Sequence, residues 1–114
     1  MHELAITEGI LRAAVPAAEA QGARKILEIR LKIGELSGVF PEYIREYFTA
    51  ASAGTIAEGA KLVVETIPVR IRCRTCLGES VISRKKICCP VCGGTDLALV
   101  SGREYFVDSL EVES

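Results

Sequence analysis

Apolar residues recur at helical spacing from residue 4 to residue 21. Ile10, Ala13, Ala14 and Ala17 define one face, with Leu4, Leu11, Val15 and Ala18 beside it. Gly22 is placed to end this helix in the left-handed conformation. Pro16 cannot donate to the carbonyl of Arg12, so the pattern predicts a kink or a break there. Between residues 26 and 34 the period changes from 3.6 to 2. Leu27, Ile29, Leu31 and Ile33 point one way, and Glu28, Arg30 and Lys32 point toward water or a charged neighbour. Gly34 and Gly38 then bracket a loop, and Pro41 suits the first turn of a helix.

That second helix is expected from about Pro41 to Ala53, with Ile44, Tyr47, Phe48 and Ala51 on its apolar face and Gly54 as its stop. Tyr43, Tyr47 and Phe48 read as helix core. A second strand covers Lys61 to Ile67, and Pro68 limits its pairing. Val69 and Ile71 lead into a cysteine-rich segment, and a last strand follows from Arg103 to Val112. These elements predict an α+β fold: two helices on a three-stranded sheet. Residues 1–69 and 101–114 form this domain, and residues 70–100 are a module inserted into it.

The inserted module carries two Cys-x-x-Cys pairs, Cys73-Arg74-Thr75-Cys76 and Cys89-Pro90-Val91-Cys92, with twelve residues between them. Each pair places two sulfurs on one tight turn, and the intervening segment is long enough to return as a hairpin. Four thiolates then reach the tetrahedral geometry of a structural zinc site. Gly78, Pro90, Gly93 and Gly94 supply the turn chemistry. Two disulfides fit less well, because the five cysteines are odd in number and Met1-His2-Glu3 is an acidic start, unlike a secretory signal. Cys88 is the surplus thiol. Cys89 repeats the two-residue spacing of the first pair and Cys88 does not, so Cys88 is expected as a small buried side chain beside the knuckle.

Composition narrows the function classes. A chain of 114 residues, 49% apolar and without a membrane-length run, reads as a soluble, cytoplasmic protein. The net charge of −1 argues against the whole chain binding a polyanion. The charge is uneven, however. Arg70, Arg72, Arg74, Arg84, Lys85 and Lys86 stand against Glu79 alone, which keeps a zinc-ribbon nucleic-acid or transcription accessory protein as the rival reading. The plainer account of Arg70, Arg72 and Arg74 is the polar face of a strand. No nucleophile with a base, and no glycine-rich phosphate loop ending in Lys-Ser or Lys-Thr, is evident, so the chain reads as a non-enzyme.

The only histidine is His2. Its position gives it a specific chemistry, because the α-amine of Met1, the amide of His2 and the His2 imidazole are joined by short chelate rings. Glu3 could add a backbone nitrogen or a carboxylate oxygen as a fourth donor. A planar set of nitrogen and oxygen donors favours Ni(II) or Cu(II).

Taken together, these residues resemble the hydrogenase nickel-insertion metallochaperones of the HypA/HybF type. The likeness runs nearly end to end: Met1-His2-Glu3, Ile33-Gly34-Glu35-Leu36-Ser37-Gly38-Val39 with Pro41-Glu42, Leu62 to Pro68, both knuckles with Gly93, and Ser109-Leu110-Glu111-Val112. The resemblance implies nickel on His2 with Met1 and Glu3, and structural zinc on Cys73, Cys76, Cys89 and Cys92. It makes nickel a transferred cargo. It also implies work with a GTPase maturation partner and the large subunit of nickel–iron hydrogenase, in some members with urease maturation proteins, and with neither nucleic acid nor membrane. Pro16 and Cys88 depart from the family pattern. A redox role for the Cys-x-x-Cys pairs fits poorly, since thiolates held by zinc do not cycle readily.

Overall fold

The chain runs α1 (Glu3–Ala20), β1 (Lys25–Gly34), α2 (Pro41–Ala51), β2 (Lys61–Ile67), β3 (Val69–Cys73), β4 (Glu79–Ile82), β5 (Leu97–Ser101) and β6 (Tyr105–Glu113). The structure is a computed structural model that describes residues 3–114. It divides into two units. The first holds residues up to Lys32 together with 39–65 and 106–114; the second holds 33–38 and 66–105. The second unit includes the expected inserted module and extends beyond it on both sides.

The first unit contains α1, α2 and a three-stranded sheet in the order β2-β1-β6. Its core is built from Ile10, Leu11, Ala14 and Ala18 of α1, Ile44 and Phe48 of α2, and Ile26, Ile29 and Leu31 of β1, with Ala57 and Leu62. Burying each large aliphatic or aromatic side chain contributes about 1.5–3 kcal/mol. α1 is one continuous helix with Pro16 inside it, so the chain does not break there. Its buried stripe is Thr7, Ile10, Leu11, Ala14 and Ala18, one position round from the expected face; Ala13, Ala17 and Leu4 are exposed. Thr7 is polar yet fully buried, because its hydroxyl donates to the Glu3 carbonyl at 2.6 Å. Gly22 has φ +76° and stops the chain's helical course as expected.

In β1 the buried positions are Ile26, Ile29, Leu31 and Ile33. Leu27 is exposed, contrary to the strict alternation, because the buried register slips by one position between Ile26 and Ile29. The polar face behaves as the pattern predicts. Arg30 pairs with Glu28 at 2.6 Å and Glu111 at 3.3 Å, and Lys32 lies between Glu65 at 3.2 Å and Asp108 at 3.9 Å. Such largely exposed pairs each contribute about 0–1 kcal/mol.

Pro41 sits in the first turn of α2, whose N-cap Phe40 makes no side-chain cap bond. The helix ends at Ala51, earlier than Ala53, where the Ser52 amide donates back to the Phe48 carbonyl and the Ala53 amide to the Ala50 carbonyl. Ile44 and Phe48 are buried, whereas Tyr43 and Tyr47 are exposed and do not join the core. The spacing was helical, but only two residues of that arc are covered.

The second unit has its own antiparallel sheet in the order β4-β3-β5. These three strands were not foreseen as a sheet. Val69, Ile71 and Cys73 of β3 are buried and alternate with exposed Arg70 and Arg72. Val69 and Ile71 pack with Ile82 and Leu97 in a small core. The chain visits this unit first at residues 33–38, where Gly34 donates to the Glu104 carbonyl at 2.7 Å and Leu36 to the Gly102 carbonyl at 2.7 Å. β6 begins at Tyr105, later than Arg103, because the Glu104 carboxylate turns back to accept from the Gly102 amide at 2.7 Å.

The crossing at Gly34 has no room for a side chain. A Cβ there would fall on the Gly102 carbonyl and within 2.8 Å of the Glu104 carbonyl oxygen, both rigid backbone. Gly34→Ala is expected to destabilise the protein by about 1–3 kcal/mol or more. A urea titration comparing midpoints at unchanged slope measures it, and an unshifted midpoint would refute the close approach.

Candidate metal centre

The two knuckles are built alike. In the first, the Cys73 amide donates to the Gly78 carbonyl at 2.9 Å and the Leu77 amide to the Cys73 carbonyl at 2.9 Å. In the second, the Cys89 amide donates to Gly94 at 2.8 Å and the Gly93 amide to Cys89 at 2.8 Å. Leu77 and Gly93 therefore occupy equivalent positions, and both are left-handed, with φ of +64° and +76°. Glycine adopts that conformation without cost and leucine does not.

The antiparallel pairing of β3 with β4 folds the intervening segment back as a hairpin, with Val69 opposite Ile82 and Arg72 opposite Glu79. This return brings the sulfurs of Cys73, Cys76, Cys89 and Cys92 within 4.8 Å of one another. Two pairs meet across the knuckles: Cys73 to Cys92 at 3.5 Å and Cys76 to Cys89 at 3.6 Å. A tetrahedron with metal–sulfur bonds of about 2.3 Å has edges of about 3.8 Å, so the donor set fits zinc in number, type and spread. Gly94 leaves the centre its space, since a Cβ there would lie 3.3 Å from the Cys92 sulfur and 3.7 Å from that of Cys73. Cys88 is half-buried and outside the four-sulfur cluster.

The backbone also prepares the charge. The Cys76 and Thr75 amides hold Cys73 down to about 6 against the opposing effect of burial. The Cys92 and Val91 amides likewise lower Cys89. Cys92 is pushed up to about 11: the Gly94 amide pulls it down, but the neighbouring Cys73 sulfur, burial, Cys89 and Cys76 together outweigh that. Cys76 is raised in the same manner, with the Gly78 amide opposed by Cys89, burial and Cys73. Each knuckle thus pairs one buried sulfur whose pKa is lowered with one exposed sulfur whose pKa is raised, and a divalent ion would displace the remaining protons.

Of the other residues singled out from sequence, Glu3 opens α1, while Met1 and His2 lie outside the described residues. Arg74 leaves the basic stripe to pair with Asp96 at 2.9 Å. Arg70 and Arg72 form the polar face of β3. Among the described residues no helix is long and apolar enough to cross a membrane.

A family described as hydrogenase/urease nickel incorporation, metallochaperone, HypA, matches residues 1–112. The chain belongs to the HypA family. Among similar proteins, the hydrogenase maturation factor HypA of Geobacter sulfurreducens is 41% identical over 99% of this chain and 100% of its own length. That of Moorella thermoacetica is 39% identical over the same shares. The solution structure of the nickel metallochaperone HypA from Helicobacter pylori covers 100% of this chain and 99% of its own, at 21% identity and a TM-score of 0.71. A second HypA solution structure gives 0.73 at 21% identity, covering 98% and 96%. These two establish a shared α+β fold. For a HypA-family chain, the four-sulfur cluster is the part of the chemistry that the described residues carry.

Proposed function

We propose that this chain is a nickel metallochaperone that binds Ni(II) through Met1, His2 and Glu3 and delivers it during maturation of nickel–iron hydrogenase. Zn(II) on Cys73, Cys76, Cys89 and Cys92 holds the second unit folded. Family membership over residues 1–112 is the observation that carries this reading. Residues 1–69 with 101–114 serve as the nickel-binding domain and 70–100 as the zinc-binding domain. The division of labour follows from coordination chemistry. A closed tetrathiolate has no open position, so it supports structure rather than catalysis. A planar nitrogen set at a chain terminus exchanges its ligands one at a time, which suits release of a cargo. A carrier of this kind works with a GTPase partner and the hydrogenase large subunit in the cytoplasm, and the family's description extends the client range to urease.

Metal analysis of protein with its native N-terminus, with and without added Ni(II), tests the proposal: one zinc and one nickel equivalent are expected. A pH titration separates the two sites. The imidazole and α-amine have ordinary pKa values of about 6.5 and about 7.7–8.0, so protons compete with nickel as pH falls. Nickel affinity should drop between about pH 8 and pH 6 while bound zinc stays constant, since a structural zinc site of this kind binds its metal with about 10–16 kcal/mol at pH 7. A flat nickel profile would assign the cargo to other donors.

A further inference from the structure

The two knuckles match in their hydrogen bonds but not in their side chains. The left-handed position holds Gly93 in one and Leu77 in the other. Leu77 gains little from burial there, because it is 67% exposed. A strained, solvent-facing leucine contributes nothing to the folding of its own unit, and such strain marks functional positions. Val91 of the second knuckle is 76% exposed. Leu77 follows Cys76 and Val91 precedes Cys92, the two exposed sulfurs of the cluster. Both apolar side chains are therefore chain neighbours of the exposed cysteines of the metal centre.

The surrounding charge identifies what fits against them. The second unit has seven Lys and Arg against four Asp and Glu, and it stays net positive even with the two negative charges of a loaded tetrathiolate. Arg70 and Arg72, on the strand that leads into the first knuckle, are exposed and make no ion pair among the described residues. The second unit's one aromatic side chain is Tyr105 at its far end, and it has no histidine, so it lacks the series of aromatic platforms on which successive bases stack. This combination favours a protein over a nucleic acid.

We propose that Leu77 and Val91 are a two-pronged docking tip for a partner protein whose surface offers an apolar pocket rimmed by carboxylates. Docking covers the exposed sulfurs of Cys76 and Cys92, and Arg70 and Arg72 meet the acidic rim. The proposal deepens the carrier reading, since a chaperone must seat itself on the protein it loads.

The test measures affinity for the hydrogenase large-subunit precursor from the same organism, the protein a carrier loads, with the GTPase maturation partner as the comparison. Leu77→Gly relieves the strain, so this variant should keep its zinc and nickel and melt at or above the wild-type temperature. It should nonetheless bind the precursor about tenfold more weakly or worse, the loss expected of a buried anchor. Leu77→Met, which keeps an apolar tip, should bind as wild type does. Val91→Ser should weaken precursor binding, and Arg70→Glu with Arg72→Glu should weaken it most at low salt. Wild-type affinity of Leu77→Gly for the precursor, no binding of the precursor by the wild type, or a loss confined to the GTPase partner overturns the proposal. So does salt-sensitive binding of a single-stranded oligonucleotide that the arginine variants lose and Leu77→Gly retains. Nickel stoichiometry scores the carrier reading separately: a wild type without nickel whose Leu77→Gly variant still loses the precursor refutes that reading and leaves the docking tip standing.

Discussion

Adding a single residue ahead of Met1 is expected to abolish specific one-equivalent nickel binding while leaving zinc content and fold intact. The extension converts the α-amine into an amide and moves the free amine out of the chelate, although every side chain remains. His2→Ala should have the same outcome by removing the imidazole donor. Neither change touches the core residues of α1, which begin at Thr7, so the melting temperature should not move. In cells both variants should fail to mature nickel–iron hydrogenase, with partial rescue by excess nickel, as expected when delivery is missing. The extended protein is the sharper probe because it still contains His2 and Glu3. Wild-type affinity in that variant would remove the amine from the site and leave the side chains to carry it.

Loss of the four-sulfur centre should be the most damaging change to structure. The second unit has a small buried cluster of Val69, Ile71 and Ile82, with Leu97 packed against it. Burial of each contributes at most about 1.5–3 kcal/mol, whereas ordering each residue costs about 1–2 kcal/mol. So small a core cannot order two knuckles and three short strands, and structural zinc supplies on the order of 10–16 kcal/mol. Cys73→Ala, Cys76→Ala, Cys89→Ala and Cys92→Ala should each lose zinc, and two-dimensional NMR should show resonances of 66–105 collapsing toward random-coil positions. Resonances of the first unit should persist, because its core belongs to α1, α2 and β1. Cys88→Ala should retain a full zinc equivalent. Loss of zinc from Cys88→Ala with retention in Cys89→Ala would mean that the cluster uses the other sulfur.

The elements with long, regular periods were legible from the chain alone. Residues 4–21 announced a helix, 26–34 and 61–67 announced strands, and Pro41 announced where α2 begins, because backbone periodicity and proline geometry are local properties. The paired knuckles were legible for the same reason: two sulfurs two residues apart must share a turn. Which residues of a helical arc become core was not. Tyr47 has the same spacing credentials as Phe48, yet only Phe48 is covered, and Ala14 is buried while Ala13 is not. Coverage depends on the neighbouring element, which lies far away in sequence.

The sheet of β3, β4 and β5 was also beyond local reading. Its strands are four or five residues long, and Leu97–Ser101 shows no apolar–polar alternation that would mark a strand. Pairing with β3 alone makes it one. The sequence by itself therefore determined the helices, the first sheet's strands and the cysteine register. Tertiary structure decided which faces are buried, how the hairpin brings four sulfurs within 4.8 Å, and that Leu77 is held left-handed where its counterpart is Gly93. The reason is physical: periodicity and chelate spacing are encoded between neighbours, whereas burial, sulfur convergence and backbone strain exist only once distant segments meet.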